Sequence, residues 1–570
     1  MLWLALHLPA LSLESGAATR SPEHAGRPLA LLHDHQVQHA DALAIERGVR
    51  PGMKRATALA LAPDLLLAAA DAHRDTQALR AVAHVALAFS PSVTWATPAG
   101  LAARPRSSGL ASDANPAPSP ALVGVRLEVQ SCLRYFGGLP ALLDRLRSAL
   151  APLGHSVRIA SAPTALGAAL LAAWRDDLAL GPHTVPHLAG RTTAHPTAHP
   201  AAHPSAADAL QRLLDTVPLQ LLGPGVPQLQ ALQGMGLYTL ADLRTLPRAG
   251  LVRRFGPDLL ADIDRARGHA PEVHAWLTLP LSFASRIELL CRADTSAQVL
   301  AGAQVLLARL LAWAGARQAR VVRFSLVMHH DVRRRRDSPD AEQPPTHTTL
   351  VIAPAEPAAD PRHLHSLLAE HLGRLPLAAP ALELSLLCDQ LSAGAPPNGE
   401  LFASRASERE GLARLVDRLQ ARLGTAQVQC LAAVSDHRPE HSTRWRPADA
   451  ARLGAPAEAP AGGRAAALRA PTALAGAHRL AAQPLWLLSE PIALAERAQG
   501  PLLDGQPLQL LAGPERLESG WWDAQGPAVR DYFIAQTATG ALAWIYRHRL
   551  PGGETGQAAA SGWYLQGLFA

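Results

Sequence analysis

The sequence predicts a mixed α/β, multidomain chain, and three patterns carry that expectation. Strand-like and helix-like stretches alternate from residue 1 to about 174. Residues 206–268 are helical throughout. Residues 281–390 return to strands interleaved with two long helices. At 570 residues the chain has room for several domains of ~100–200 residues each.

In chain order, LWLALHL (2–8) is a buried strand ended by Pro9. It has no basic flank, so it reads as a core strand and not as a signal peptide. Residues 36–66 read as helical, with a turn at Gly48-Val49-Arg50-Pro51-Gly52-Met53. A helix at 76–89, a strand at 93–97, a low-complexity loop at 103–120 and a strand at 122–130 follow. Phe136-Gly137-Gly138 leads into a helix at 139–151, then a strand at 155–161 and a helix at 164–174. Strands are expected at 321–328, 347–352 and 381–388, and long helices at 295–315 and 361–374. A short helix at 408–422 and a strand at 427–434 complete the middle. Residues 446–482 are rich in Ala, Pro and Gly, as in a linker. Residues 483–570 hold five of the 11 tryptophans, the mark of a folded module or an aromatic docking surface.

Composition limits the function classes. Net charge is +6, which suits a polyanionic partner. Cys132, Cys291, Cys388 and Cys430 have no paired spacing, which argues against a zinc site or a disulfide framework and fits a reducing cytoplasm. No apolar run of ~18 residues stands out, so no membrane span is expected. His183, His187, His195, His199 and His203 fall at multiples of four. Pro196, Pro200 and Pro204 forbid the helix that would align the last three, so 181–205 reads as a linker. No metal site and no cofactor are expected.

Two motifs point to nucleic acid. In LQALQGMGLYTLADLRTLPRAG (229–250), Gly234-Met235-Gly236 joins two short helices into a helix–hairpin–helix. Such a turn brings backbone N–H groups close to a phosphate without reading bases. Arg253 and Arg254 follow on the next helix. Arg333, Arg334, Arg335 and Arg336 lie between two candidate strands, where a basic hairpin could touch a duplex backbone or a charged loop could simply be solvated.

The order of these features resembles the Y-family of translesion DNA polymerases. The resemblance covers roughly residues 1–390. Gly48–Met53 with Ala58, Leu61 and Pro63 resembles the family's fingers signature, and Leu127-Glu128-Val129 with Phe136-Gly137-Gly138 its palm. The resemblance implies palm and fingers at 1–180 (fingers about 30–75), a thumb at 206–270, a little finger at 280–390, a linker at 391–445 and a C-terminal extension at 483–570. Yet the positions aligned with the family's metal-binding acids hold Pro9, Leu11, Val123 and Gly124. Those aligned with its triphosphate contacts hold Ala42 and Ile45. Nucleotidyl transfer in this family needs two metal ions clamped by carboxylates, and alkyl groups cannot ligate Mg²⁺. Glu128 lies four residues past Gly124, ~13 Å along a strand. The expectation is a noncatalytic, DNA-bound adaptor; the alternative is an active polymerase with relocated ligands.

The extension resembles the tail of degenerate members of this group. That resemblance implies partners: a sliding clamp, a RecA-like protein and a C-family error-prone polymerase, in a cytoplasmic, nucleoid-associated setting. The clamp contact is expected at Asn398-Gly399-Glu400-Leu401-Phe402, where burial of the last two side chains yields ~1.5–3 kcal/mol each before ordering costs. Other partner contacts are expected at Trp521, Trp522, Trp563, Leu568 and Phe569.

Overall fold

The computed structural model describes residues 1–96, 122–176, 178–179, 206–222, 226–331, 345–394, 405–449, 484, 486–498, 500–522, 527–549 and 562–569. The loop at 103–120, the histidine repeats at 183–204, Arg333–Arg336, Asn398–Phe402 and most of the 446–482 linker lie outside those residues. The chain divides into two compact units, Met1–Arg422 and Leu423–Ala570.

The first unit opens with β1 (Trp3–His7), whose first four residues are all buried. Helix α1 (Leu11–Ala17) follows. Next come β2 (Leu29–His33), β3 (Gln36–Ala40), α2 (Ala42–Glu46), α3 (Arg55–Leu61) and β4 (Leu66–Ala69). The continuous helical reading of 36–66 is therefore corrected. In β3 Val37 and Ala40 are buried, and the segment is a strand because it pairs with β2 from Ala30 to His33. His33 pairs with Gln36 across Asp34 and His35, which both take positive φ. That is the two-residue turn whose twist suits a hairpin. Asp41 then starts α2, its carboxylate accepting from Ala44 N at 2.8 Å.

Helix α4 (Ala72–Leu87), β5 (Val93–Ala96), β6 (Gly124–Glu128), α5 (Leu133–Phe136), α6 (Leu139–Leu150), β7 (Arg158–Ala162) and α7 (Ala165–Trp174) complete this layer. The sheet order is β5-β6-β1-β7, with every neighbour antiparallel. Alternation along the strands builds two cores. Leu4, Leu6, Val125 and Leu127 face α4 and α6, while Trp3, Ala5, Ala160 and Ala162 face α7. Asp75 of α4 is 5% exposed and accepts hydrogen bonds from the Ser12 and Ser15 hydroxyls of α1. Asp75→Ala strands both hydroxyls, and a loss of about 2–3 kcal/mol is expected by urea denaturation.

Helices α8 (Ala206–Asp215), α9 (Val226–Gly234), α10 (Leu240–Arg244), α11 (Arg248–Phe255) and α12 (Pro257–Arg267) share the core of α7. Past α12, Glu272 receives the N–H groups of Ala165 and Leu166, both at 2.8 Å, and so caps α7. This connecting segment also stacks Trp276 on Trp3.

A second sheet follows. Strand β8 (Phe283–Ala293) precedes α13 (Ser296–Ala316), β9 (Ala319–His330), β10 (His347–Ile352), α14 (Pro361–Arg374) and β11 (Ala381–Ala393), and α15 (Arg405–Leu423) comes last. The order is β10-β9-β11-β8, with α13 and α14 packed on one face. The sequence reading did not mark β8, although it alternates buried and exposed residues from Phe283 to Leu289. Among the described residues α13 is the one helix long and apolar enough to cross a membrane, with mean hydropathy 1.6 over its central window. Its apolar run is interrupted by Gln304 and Arg309. Its Leu306, Leu310 and Trp313 are buried in the core of this sheet.

In the second unit β12 (Gln429–Ala433) pairs with β13 (Thr443–Pro447), a strand not anticipated from sequence. Strands β14 (Trp486–Arg497), β15 (Gly500–Leu503), β16 (Gln506–Pro507), β17 (Gln509–Ser519), β18 (Ala528–Gln536), β19 (Leu542–His548) and β20 (Trp563–Leu568) form one seven-stranded sheet. The order is β16-β15-β14-β20-β19-β18-β17. Tyr532, Trp544 and Tyr546 pack together on it. Arg530 lies over the Tyr546 ring at 4.7 Å and pairs with Glu440 at 2.9 Å.

Candidate functional site

The positions aligned with metal-binding acids gather at one end of the β1–β6 pair, where His7 stands opposite Gly124. Leu11 is buried and Pro9 exposed. Val123 packs partly into the core shared with Leu4 and Leu6. Burial holds the His7 imidazole below its ordinary pKa, opposed by a hydrogen bond to Val123 and reinforced by Arg158. The ring is therefore neutral at neutral pH, and its Nδ1–H donates to the Val123 carbonyl at 3.2 Å. A Cβ at Gly124 would stand 2.4 Å from the Leu6 carbonyl oxygen. The backbones approach too closely there for any side chain, a carboxylate included. The space between these residues is about 10 Å³, roughly one water's worth.

The two acids weighed as substitutes lie elsewhere. Glu128 is in register with Trp3, at the other end of the strand pair, and accepts from Gln130 N at 3.0 Å. Glu14 sits on α1 and accepts from Ser156 N at 3.0 Å and from the Ser156 hydroxyl. Burial alone would raise its pKa, but His155 and Ser156 outweigh it and hold the carboxyl below its usual range. Among the described residues no three His, Cys, Asp or Glu side chains are grouped to hold a metal ion.

The segment Gly48–Met53 forms a turn against β3. Gly52 N donates to Val37 O at 2.7 Å, and Val37 N to Met53 O at 2.8 Å. Gly48 and Gly52 take φ of +90° and +86°, which explains glycine at both. Ala42 and Ile45 lie exposed on α2 and offer no polar group.

The structure builds the hairpin at α9–α10. Gly236 has φ +78°, while Met235 and Tyr238 are exposed. Its amides already have acceptors. Met235 N and Leu237 N bond Leu232 O, and Gly236 N bonds Gln233 O. Tyr238 N and Thr239 N bond the Asp242 carboxylate at 2.9 and 2.8 Å. These bonds hold Asp242 below the usual carboxylate range. A phosphate here would have to share amides with Asp242. Free cationic groups lie farther on. Arg244 pairs with Asp215 and Arg248 with Asp264. Arg253 and Arg254 are exposed on the last turn of α11, with no carboxylate partner among the described residues.

In the second unit, Trp521 and Trp522 stand 75% and 57% exposed, edge to face at 4.4 Å. Leu568 is exposed as well. Trp563 is a correction. It is 6% exposed and packs on Phe533 in the sheet core. Phe569 is half-buried against Tyr532, Trp544 and Tyr546. Trp486, one of the five tryptophans that marked this module, is exposed too, and exposed Trp445 escaped the sequence reading. Trp445 lies between exposed Arg444 and Arg446, and that Arg-Trp-Arg string was its signal.

No family model matches the chain. Over 547 residues it is 29% identical to Protein ImuB of Caulobacter vibrioides strain NA1000 / CB15N. The match covers 92% of this chain and all of that protein, and Protein ImuB of strain ATCC 19089 / CIP 103742 / CB 15 matches equally. The chain is similar to ImuB over nearly its whole length. Among solved structures it is similar to a ternary complex of Dbh, with 12% identity, TM-score 0.33, 69% of this chain and 100% of that one. It is similar to the same degree to DinB from Sulfolobus solfataricus, with 12% identity, TM-score 0.33 and the same coverage. The match to ImuB runs through both units.

Proposed function

We propose that the protein is a noncatalytic DNA-binding adaptor in error-prone translesion synthesis and SOS-type repair. The observation that carries this reading is the His7–Gly124 end of the β1–β6 pair. The acid-aligned positions hold Pro9, Leu11, Val123 and Gly124, and the backbone leaves Gly124 no room for a side chain. A metal pair needs several oxygen ligands converging within ~2.1 Å of each ion, and this arrangement supplies none. Similarity to ImuB over 92% of the chain supports a role in the same process.

In this reading the first unit keeps the palm, fingers, thumb and little finger as a DNA-holding frame. The hairpin at Gly234–Gly236 with Arg253 and Arg254, and the segment Arg333–Arg336, meet phosphates. Asn398–Phe402 engages the sliding clamp. The second unit recruits a RecA-like protein, ImuA, and a C-family error-prone polymerase, with Trp521, Trp522 and Leu568 at the surface. Its setting is cytoplasmic and nucleoid-associated.

DNA binding as a function of salt tests the frame. Arg253→Ala/Arg254→Ala is expected to weaken binding equally on all sequences and to lower the log–log salt slope by about 2, near 0.9 per phosphate contact. An unchanged slope would remove these arginines from the interface. Capture by the sliding clamp tests the second contact, with loss expected in Leu401→Ala/Phe402→Ala.

A further inference from the structure

A cavity of about 180 Å³ lies between α4 and the β8–α13 edge of the second sheet, all within the first unit. A single water needs about 10–15 Å³ by the same measure, so the space takes a multi-atom ligand. Its polar wall is one-sided in charge. Arg80, His84 and Arg309 line it, with Gln77, Ser282 and Ser285, and no lining residue is Asp or Glu.

Arg309 is the informative member. It sits in the middle of α13, is 4% exposed, and its Nη1 donates to the Ser285 hydroxyl at 3.3 Å. No carboxylate meets it among the described residues. Burial depresses its pKa to about 10, so it stays charged at neutral pH. A buried cation without a counter-charge is destabilising. His84, one turn from Arg80, has a buried Nδ1 with no hydrogen-bond partner. Burial first, and Arg80 second, push its pKa down to about 4. Arg80 approaches the Trp95 ring at 5.9 Å and pairs with no acid among the described residues. Two guanidinium groups, an imidazole nitrogen, two hydroxyls and an amide thus surround a space that lacks negative charge.

We infer that this cavity is a binding site for a phosphate-type oxyanion, held by Arg309 and Arg80 with His84 and the serine hydroxyls completing the shell. A tetrahedral dianion offers acceptor oxygens in several directions at once and matches forked N–H donors. It would neutralise the buried Arg309. The site shares no lining residue with the His7–Gly124 end of the first sheet. It stands or falls independently of the adaptor reading.

Thermal melting of the full chain in phosphate-free buffer, at constant ionic strength, is the test. Inorganic phosphate and pyrophosphate should raise Tm saturably, while chloride should not. Arg309→Met should abolish the increment. Arg80→Gln, on a side chain only partly buried, should raise the half-saturating concentration about tenfold or more without lowering the anion-free Tm. A short oligonucleotide that displaces phosphate would mark a strand phosphate as the natural source; one that does not would mark the free anion, and either supports the site. Absence of a saturable response in the unaltered chain, or a response of equal size in both variants, would overturn it.

Discussion

Gly124→Asp should cost about 3–5 kcal/mol of stability, among the largest effects a single residue can have here. The new Cβ would stand 2.4 Å from the Leu6 carbonyl oxygen, so β1 and β6 must separate at the His7–Gly124 pair. The carboxylate would then face the lone pairs of the Leu6 carbonyl, and placing a charge in so closed a site is penalised further. Val123→Asp should cost less, because Val123 is only partly buried and its backbone is not pinned in the same way. Urea denaturation of the full chain compares the two. A Gly124→Asp protein within ~1 kcal/mol of the unaltered chain would mean that the strands part readily and that the end is not sealed. The prediction reaches function as well, since reinstating one acid should unfold the site before it seats a metal.

Removing residues 484–570 should abolish capture of the RecA-like protein and the C-family polymerase, while DNA binding stays within about threefold. The seven-stranded sheet lies wholly in that segment, and Trp521 and Trp522 supply its large exposed aromatic pair. Trp521→Ala/Trp522→Ala should cost about 2–4 kcal/mol of partner affinity, the range of a paired aromatic hot spot, with the fold intact. Trp563→Ala serves as the contrast. It empties a core position beside Phe533 and should lower stability by about 3–5 kcal/mol. Partner capture that survives both truncation and the double substitution would move recruitment to another part of the chain.

Much of the architecture was legible because hydrophobic period and turn chemistry agree along most of the chain. The strand at 3–7, the helices at 139–150 and 361–374, and the glycine hairpin at 234–236 follow directly from pattern. Where the patterns were short, they failed. QVQHA at 36–40 became β3 because a tight turn at Asp34-His35 folds it back on β2, a turn that lacks the Asn-Gly or Asp-Gly pair by which such hairpins are read. FASRIELL was passed over although its alternation is regular, and β13 forms only because β12 lies beside it. The aligned acid positions could be read as apolar from residue identity, but the approach of Leu6 O to Gly124 could not, because it depends on register. Tryptophan enrichment marked the last module without telling faces apart, so Trp563 was placed outside when it lies within. Arg309 was invisible for a simpler reason. One arginine in the long apolar run of α13 reads as a polar interruption, and only packing against α4 and β8 shows it sealed in.

Template-directed primer extension is the most direct measurement of whether this protein joins nucleotides. With purified full-length protein, Mg²⁺ or Mn²⁺, deoxynucleotides and undamaged or damaged templates, no incorporation above the protein-free control is expected. Incorporation that follows the protein through successive purification steps and disappears in Glu14→Gln or Glu128→Gln would contradict the adaptor account, because it would place working metal ligands where the structure shows carboxylates bound to Ser156 and Gln130.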